Sequence, residues 1–372
     1  MRIAEKRARE VFAPMLEQYM ARGSPFLTVD ADRPQAYVPA SLKSNPALWA
    51  RFLFYLCLYM RGGYDSVEAA KRLAQAFLNH PELFDERVLG WSEADIQRVM
   101  GGFIPIFRER IGRFWLHNSQ VLWQYWSGDP RRIFVHARSA DESYFRLMGS
   151  RYRPLSKRLQ AATRGQLPAL TAGSIHDLAV YEGFLGFREK MTSMLAYFLF
   201  DASLMTQLPP LSAPVDFHHV RIYLQTGMLP VVTGSVYRYD QLVAPGIAVA
   251  EYLQRTFSLP MPVYGDIIWL WSKNLCSLAP HNWSRKVQSP TGRVIRESVV
   301  PTWSKAERRA YERSCGQCAI ARWCTKAVSS GPYYTDGRFV LGSRGAPKHV
   351  QPLLHNTMFA SRRAQPPAGS SS

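Results

Sequence analysis

The chain has 372 residues, nearly half of them hydrophobic, with 10 Trp, 18 Tyr and 19 Phe. That apolar content excludes global disorder and is enough for one large domain or two ordinary ones. Lys and Arg number 46 against 28 acidic residues, a net charge of +18, which disfavours an acidic small-molecule enzyme and favours a polyanionic partner, because each neutralised phosphate releases counterions.

No apolar stretch reaches the roughly 18 residues of a membrane span; the densest run is Phe52 to Met60. The opening MRIAEKRAREVF is charged and lacks the apolar core of a signal peptide. A soluble, intracellular protein with no membrane partner is expected. In such a compartment five cysteines speak against disulfides. Cys57, inside an apolar helix, reads as inert core.

In chain order, residues 1–44 read as an N-terminal extension and 45–270 as a helical body. Asn45-Pro46 is a helix start, Asn as cap and Pro where its missing N–H is not needed. The LWARFLFYLCLYM that follows is apolar nearly all round, as a buried central helix should be. Asp65 to Glu68 starts the next helix like a capping box. Ser92 with Asp95, Ser139 with Glu142, and Ser174 with Asp177 repeat the signal. The aromatic stripe between Ile106 and Trp126 reads as core. The basic segment from Arg151 to Thr171 is either a phosphate-facing loop or a solvated linker. Strand signals are confined to Val231–Thr233 and Arg338–Leu341. Residues 271–330 carry most of the cysteines, and 331–372 read as a tail, low-complexity from Ser361.

Residues 174–200 parse as a short helix to about Glu182, a turn with Gly183 and Gly186, and a second helix from Arg188. A tight glycine turn between helices can aim backbone N–H groups at a phosphate, although ordinary helical hairpins look the same. After a proline-rich connector, Val215-Asp216-Phe217-His218-His219-Val220-Arg221 opens another helix. Asp216 is a good N-cap, and a carboxylate fixed there can also serve chemistry. This run resembles the helix–hairpin–helix DNA glycosylases, such as endonuclease III and the adenine glycosylases. The resemblance implies an all-α glycosylase-like fold, Asp216 as catalytic aspartate, Lys190 at the catalytic lysine position and His218 at the motif histidine. It also implies Gly183, Gly186, Arg188, His218 and Arg221 as DNA or substrate contacts. The family's G-x-G turn is here Gly183-Phe-Leu-Gly186, so the hairpin is expected to grip phosphate with the Arg188 side chain as much as with backbone.

Two residues separate Cys315 from Cys318, five separate Cys318 from Cys324, and 38 separate Cys276 from Cys315. Spacing alone says metal, either zinc or an iron–sulfur cluster. The ending C-x2-C-x5-C resembles the cluster loop of the iron–sulfur glycosylases, which implies a [4Fe–4S] cluster on Cys276, Cys315, Cys318 and Cys324, with a structural role. The long gap departs from that family. It is basic, with His281, Trp283, Arg285, Lys286, Arg293 and Arg296, and reads as an extra loop toward DNA.

The segment FLFYLCLYMRGG at 52–63, followed by the capped helix at Asp65, resembles a narrower family, the amino acid:DNA transferases of bacterial viruses (α-glutamyl/putrescinyl thymine pyrophosphorylases). That resemblance implies a DNA-hypermodifying enzyme in the cytoplasm of the host bacterium. It displaces pyrophosphate from activated 5-hydroxymethyluracil with an amino acid or polyamine amine, and shields viral DNA from restriction. A base-excising glycosylase and a non-catalytic DNA-binding module are the alternatives. A monomer is expected.

Overall fold

The computed structural model describes residues 2–60, 65–104, 109–152 except 136 and 138, 181–230, 236–276 and 305–324. It also gives the backbone of short strands at 285–288, 294–297, 333–335 and 338–340. The architecture is mostly helical. Two compact units divide the chain: residues 30–214, and residues 1–29 with 215–372. This division cuts across the expected 45–270 body, and the boundary falls at Pro214–Val215, next to Asp216.

In the 30–214 unit the central helix is Pro46–Tyr59, and Asn45 Oδ1 accepts from the Leu48 N–H at 3.1 Å. Every residue from Ala50 to Tyr59 is buried, which is why the sequence shows no polar face. The Tyr55 ring stacks on Trp115 at 3.8 Å between centroids. Trp115 lies on helix Ile111–Trp126, whose aromatics are core as expected. Asp65, Ser92 and Ser139 cap helices Ser66–Asn79, Glu93–Phe103 and Ala140–Met148 with their side chains. The start at Ser174 lies outside the described residues.

In the other unit, helix Glu5–Met20 buries Ala8, Val11, Phe12 and Met15. This i, i+3, i+4, i+7 stripe packs Phe12 against Phe257 at 5.2 Å and Tyr264 at 5.4 Å. Residues 5–20 are therefore part of a core, which corrects their reading as an extension. Helices Phe217–Thr226, Tyr239–Phe257 and Met261–Leu270 complete this core. Gly246 lies so close to Val215 that a Cβ there would come within 2.9 Å of Val215 Cγ1. The close approach seats the chain just before Asp216.

Short strands decorate this unit. Val236–Arg238 pairs antiparallel with Arg338–Val340, which pairs with Tyr333–Thr335. Part of the expected tail is thus in a sheet, while 341–372 and the strand expected at 231–233 lie outside the described residues. Within the basic insertion, Arg285–Gln288 and Val294–Glu297 form an antiparallel ribbon, not a plain loop. No helix among the described residues is long and apolar enough to cross a membrane.

Candidate functional site

The candidate site in the 1–29/215–372 unit begins with Asp216. It precedes helix Phe217–Thr226 in extended conformation and is 7% exposed. Its Oδ1 accepts from the backbone N–H of His218 at 2.9 Å and of His219 at 3.3 Å. The His219 ring adds a third contact, with Nδ1 2.8 Å from the same oxygen. The backbone is held from behind: the Tyr239 hydroxyl donates to the Val215 carbonyl at 2.8 Å. Asp216 is therefore both a helix cap and a rigidly placed carboxylate near the surface, at the positive end of a helix dipole.

His218 is partly exposed. Its Nδ1 lies 2.9 Å from Ser272 Oγ, and its ring sits edge-on to Trp269. Ser272 belongs to a π-turn, Trp271–Leu275, that continues helix Met261–Leu270. Such bulges re-aim side chains and recur at functional sites. The turn also places Lys273, 8% exposed, with its ammonium 4.8 Å from the Trp269 ring centroid. Cys276 follows it directly. The contacts of Ser272, Lys273 and Trp271 are invisible in the sequence, because a π-turn shifts register by one residue and carries no composition signal of its own.

Arg221 was expected among the substrate-facing cations. The structure instead buries it to 3% exposure, with its guanidinium 5.3 Å from the Phe217 ring centroid. Burial pulls Arg221 below its usual pKa, and the opposing influences are Cys276 and Asp216. One helical turn past the cap, its side chain leaves the surface and enters the protein. It thereby becomes a buried charge between a cysteine and the carboxylate.

The four cysteines are electrostatic neighbours. Cys276 keeps some surface, yet its surroundings are dense enough that burial is the main cause raising its thiol pKa well above the ordinary value. Cys318, Cys324 and Cys315 raise it further, and Arg221 opposes them. Cys318 is pushed up to about 12 by burial first, then by Cys324 and Cys315. The loop is made of tight turns: the N–H of Cys318 bonds the Cys315 carbonyl at 3.2 Å, and that of Cys324 the Ala321 carbonyl at 3.0 Å. Among the described residues no group of three or more His, Cys, Asp or Glu is drawn into ligand geometry.

Their surroundings suit an anionic thiolate cluster. The buried indole N–H of Trp271 makes no conventional hydrogen bond, but it lies close enough to the Cys318 sulfur to stabilise its thiolate. Arg221 does the same for Cys276. The thiols of Cys276 and Cys318 are poor acids until a metal supplies positive charge, which reverses the local balance. The donor set therefore fits an all-thiolate centre.

The hairpin residues lie in the other unit. Gly183 and Gly186 have φ of +66° and +87°, and Gly149 at +60° packs against Gly183. A Cβ at Gly183 would lie 2.5 Å from the Gly149 nitrogen. Asn118 holds Leu185 at both ends, donating to its carbonyl at 3.0 Å and accepting its N–H at 2.7 Å. The Phe184 N–H is taken by the Leu147 carbonyl at 2.8 Å. The two amides at the centre of the turn are thus used internally. Arg151 donates to the carbonyls of Glu182 and Phe184; it clamps the turn and does not point outward as a loop cation. Residues 181–184 are not helical, and the expected first helix lies otherwise outside the described residues. The second helix is Glu189–Asp201, with Arg188 exposed at its start and Lys190 half-buried in its first turn. Side-chain charge, not turn amides, is what this hairpin presents.

Compared with known proteins, the chain matches no family model, no curated protein and no solved structure at a significant level.

Proposed function

We propose that this protein is a DNA base-hypermodifying transferase of the helix–hairpin–helix iron–sulfur type. The observation that carries the reading is buried Arg221, one helical turn past the cap, which feels both the N-capping carboxylate of Asp216 and the thiol of Cys276. The net charge of +18 suits a DNA partner, and the hairpin charges of Arg188 and Lys190 suit its phosphates.

Cys276, Cys315, Cys318 and Cys324 would hold a [4Fe–4S] cluster. Held on these four residues, it would tie the C-terminal loop to the helical core. The substrate is pyrophosphorylated 5-hydroxymethyluracil in DNA, and the nucleophile is the amine of an amino acid or polyamine. The bond from the base methylene to the pyrophosphate oxygen breaks, and its electron pair leaves with pyrophosphate. A carbon–nitrogen bond forms, and Asp216 takes the proton released by the amine. The family resemblance, not a contact between the two units, assigns the departing pyrophosphate to the cations Arg188 and Lys190. Base excision uses the same carboxylate in the glycosylase alternative, with Lys190 as the Schiff-base amine.

The test is incubation with duplex DNA bearing pyrophosphorylated 5-hydroxymethyluracil and a pool of amines. Pyrophosphate release and a heavier base, both dependent on amine, are expected. Abasic sites in duplexes carrying uracil, 8-oxoguanine or thymine glycol, lost in Asp216→Asn, would replace this reading with excision. Tight DNA binding with neither activity would make the protein a non-catalytic module.

A further inference from the structure

We propose that His219 is a positioning residue for Asp216, forming a buried imidazole–carboxylate dyad that fixes the orientation of the carboxylate that takes the proton. The inference rests on the reading of Asp216 as the proton acceptor and extends it to a neighbour that is only 2% exposed.

His219 Nδ1 has two possible partners. It lies 2.8 Å from Asp216 Oδ1 and 3.4 Å from the Asp216 backbone nitrogen. These demand opposite tautomers. If Nδ1 accepted from the backbone N–H, its lone pair would face the carboxylate lone pairs at the shorter distance. If Nδ1 carries the proton, the short contact becomes a charge-assisted bond and only the longer one is lost. The Nδ1–H tautomer wins.

Oδ1 then accepts from three donors: the N–H groups of His218 and His219 and the imidazole N–H. Three donors on one oxygen stop the carboxylate rotating about its last bond. Capping alone does not require this arrangement, since the two backbone donors already complete the cap. The imidazole's other nitrogen makes the point sharper. His219 Nε2 is buried and has no hydrogen-bond partner. The imidazole ring lies 6.3 Å, centroid to centroid, from the rings of both Tyr223 and Tyr264, whose hydroxyls bond each other. An apolar side chain would fill this place without leaving a polar atom unsatisfied. The imidazole therefore serves its Nδ1 side.

The test combines one spectrum with two variants. In the full-length protein labelled with ¹⁵N-histidine, the His219 ring is expected in the Nδ1–H tautomer, with its shifts altered by Asp216→Asn. An Nε2–H tautomer would overturn the dyad whatever the enzyme does. His219→Asn keeps an N–H donor near the Nδ1 position, and His219→Leu removes it. In the amine-transfer assay His219→Leu should lose about 10²-fold in kcat with KM for the amine unchanged, and His219→Asn should recover to within about tenfold of the parent. Equal activity of the two variants would also overturn the proposal. Wild-type protein with no amine transfer counts against the proposed function, and the tautomer then remains the test of the dyad.

Discussion

Asp216 combines two roles that separate on substitution. Asn caps a helix about as well as Asp, so Asp216→Asn should leave thermal stability within about 1 kcal/mol of the parent while lowering amine transfer by about 10³-fold. Melting curves and turnover on one preparation check both halves. The cysteines behave differently: burial and neighbouring cysteines raise the thiol pKa of Cys276 and Cys318. Cys318→Ser should abolish the iron–sulfur absorbance and loosen the loop around Ile320, read as faster proteolysis between residues 305 and 324. At this scale the sequence was legible where structure is written locally: the aspartate before a helix is its N-cap. It was silent on His219, whose partner is set by the turn at the cap, and on Trp271, which meets Cys318 across 46 intervening residues. Arg221 was visible as a cation, but its inward direction was not, because a helix of mixed polarity does not show which face is covered.

Two elements, the hairpin in the 30–214 unit and the π-turn in the other, each hold candidate residues. The hairpin's shape depends on backbone packing that side chains cannot replace: Gly149 and Gly183 touch with positive φ on both sides. Gly183→Ala is expected to destabilise the protein by about 2–3 kcal/mol through strain and contact with backbone. Asn118→Leu leaves the N–H and carbonyl of Leu185 without their partner and should cost about 3 kcal/mol. Urea titrations of the two variants measure both effects. The helix starts at Asn45, Asp65, Ser92 and Ser139 were readable because capping is a local code. Helix Glu5–Met20 was missed although its apolar stripe is present, because five charged residues in its first six positions resemble a solvated extension. The π-turn had no local code to read.

For the whole molecule, charge and burial dictate the response to solution conditions. With +18 to set against phosphates, DNA affinity should fall by about 10³-fold between 50 and 200 mM salt if the protein contacts about six phosphates. Alkaline pH acts through buried tyrosines. Burial raises the pKa of Tyr55, Tyr59, Tyr223 and Tyr264 above the ordinary 10.0. The folded protein keeps these protons while the unfolded chain releases them above about pH 10, so stability is intact below that pH and declines as pH rises past it. Tyrosinate absorbance from these rings should therefore appear together with the loss of helical circular dichroism, not before it. The mostly helical architecture followed from cap signals and periodicity; the division at Pro214–Val215 did not, because the N-terminal helix that completes the second unit is nearly 200 residues away in sequence.

The account stands most directly on the nature of the centre formed by Cys276, Cys315, Cys318 and Cys324, and metal analysis of protein purified without oxygen decides it. A brown protein with a band at about 400 nm and about four iron and four acid-labile sulfide per chain is the predicted result. A colourless protein holding one zinc ion would contradict it.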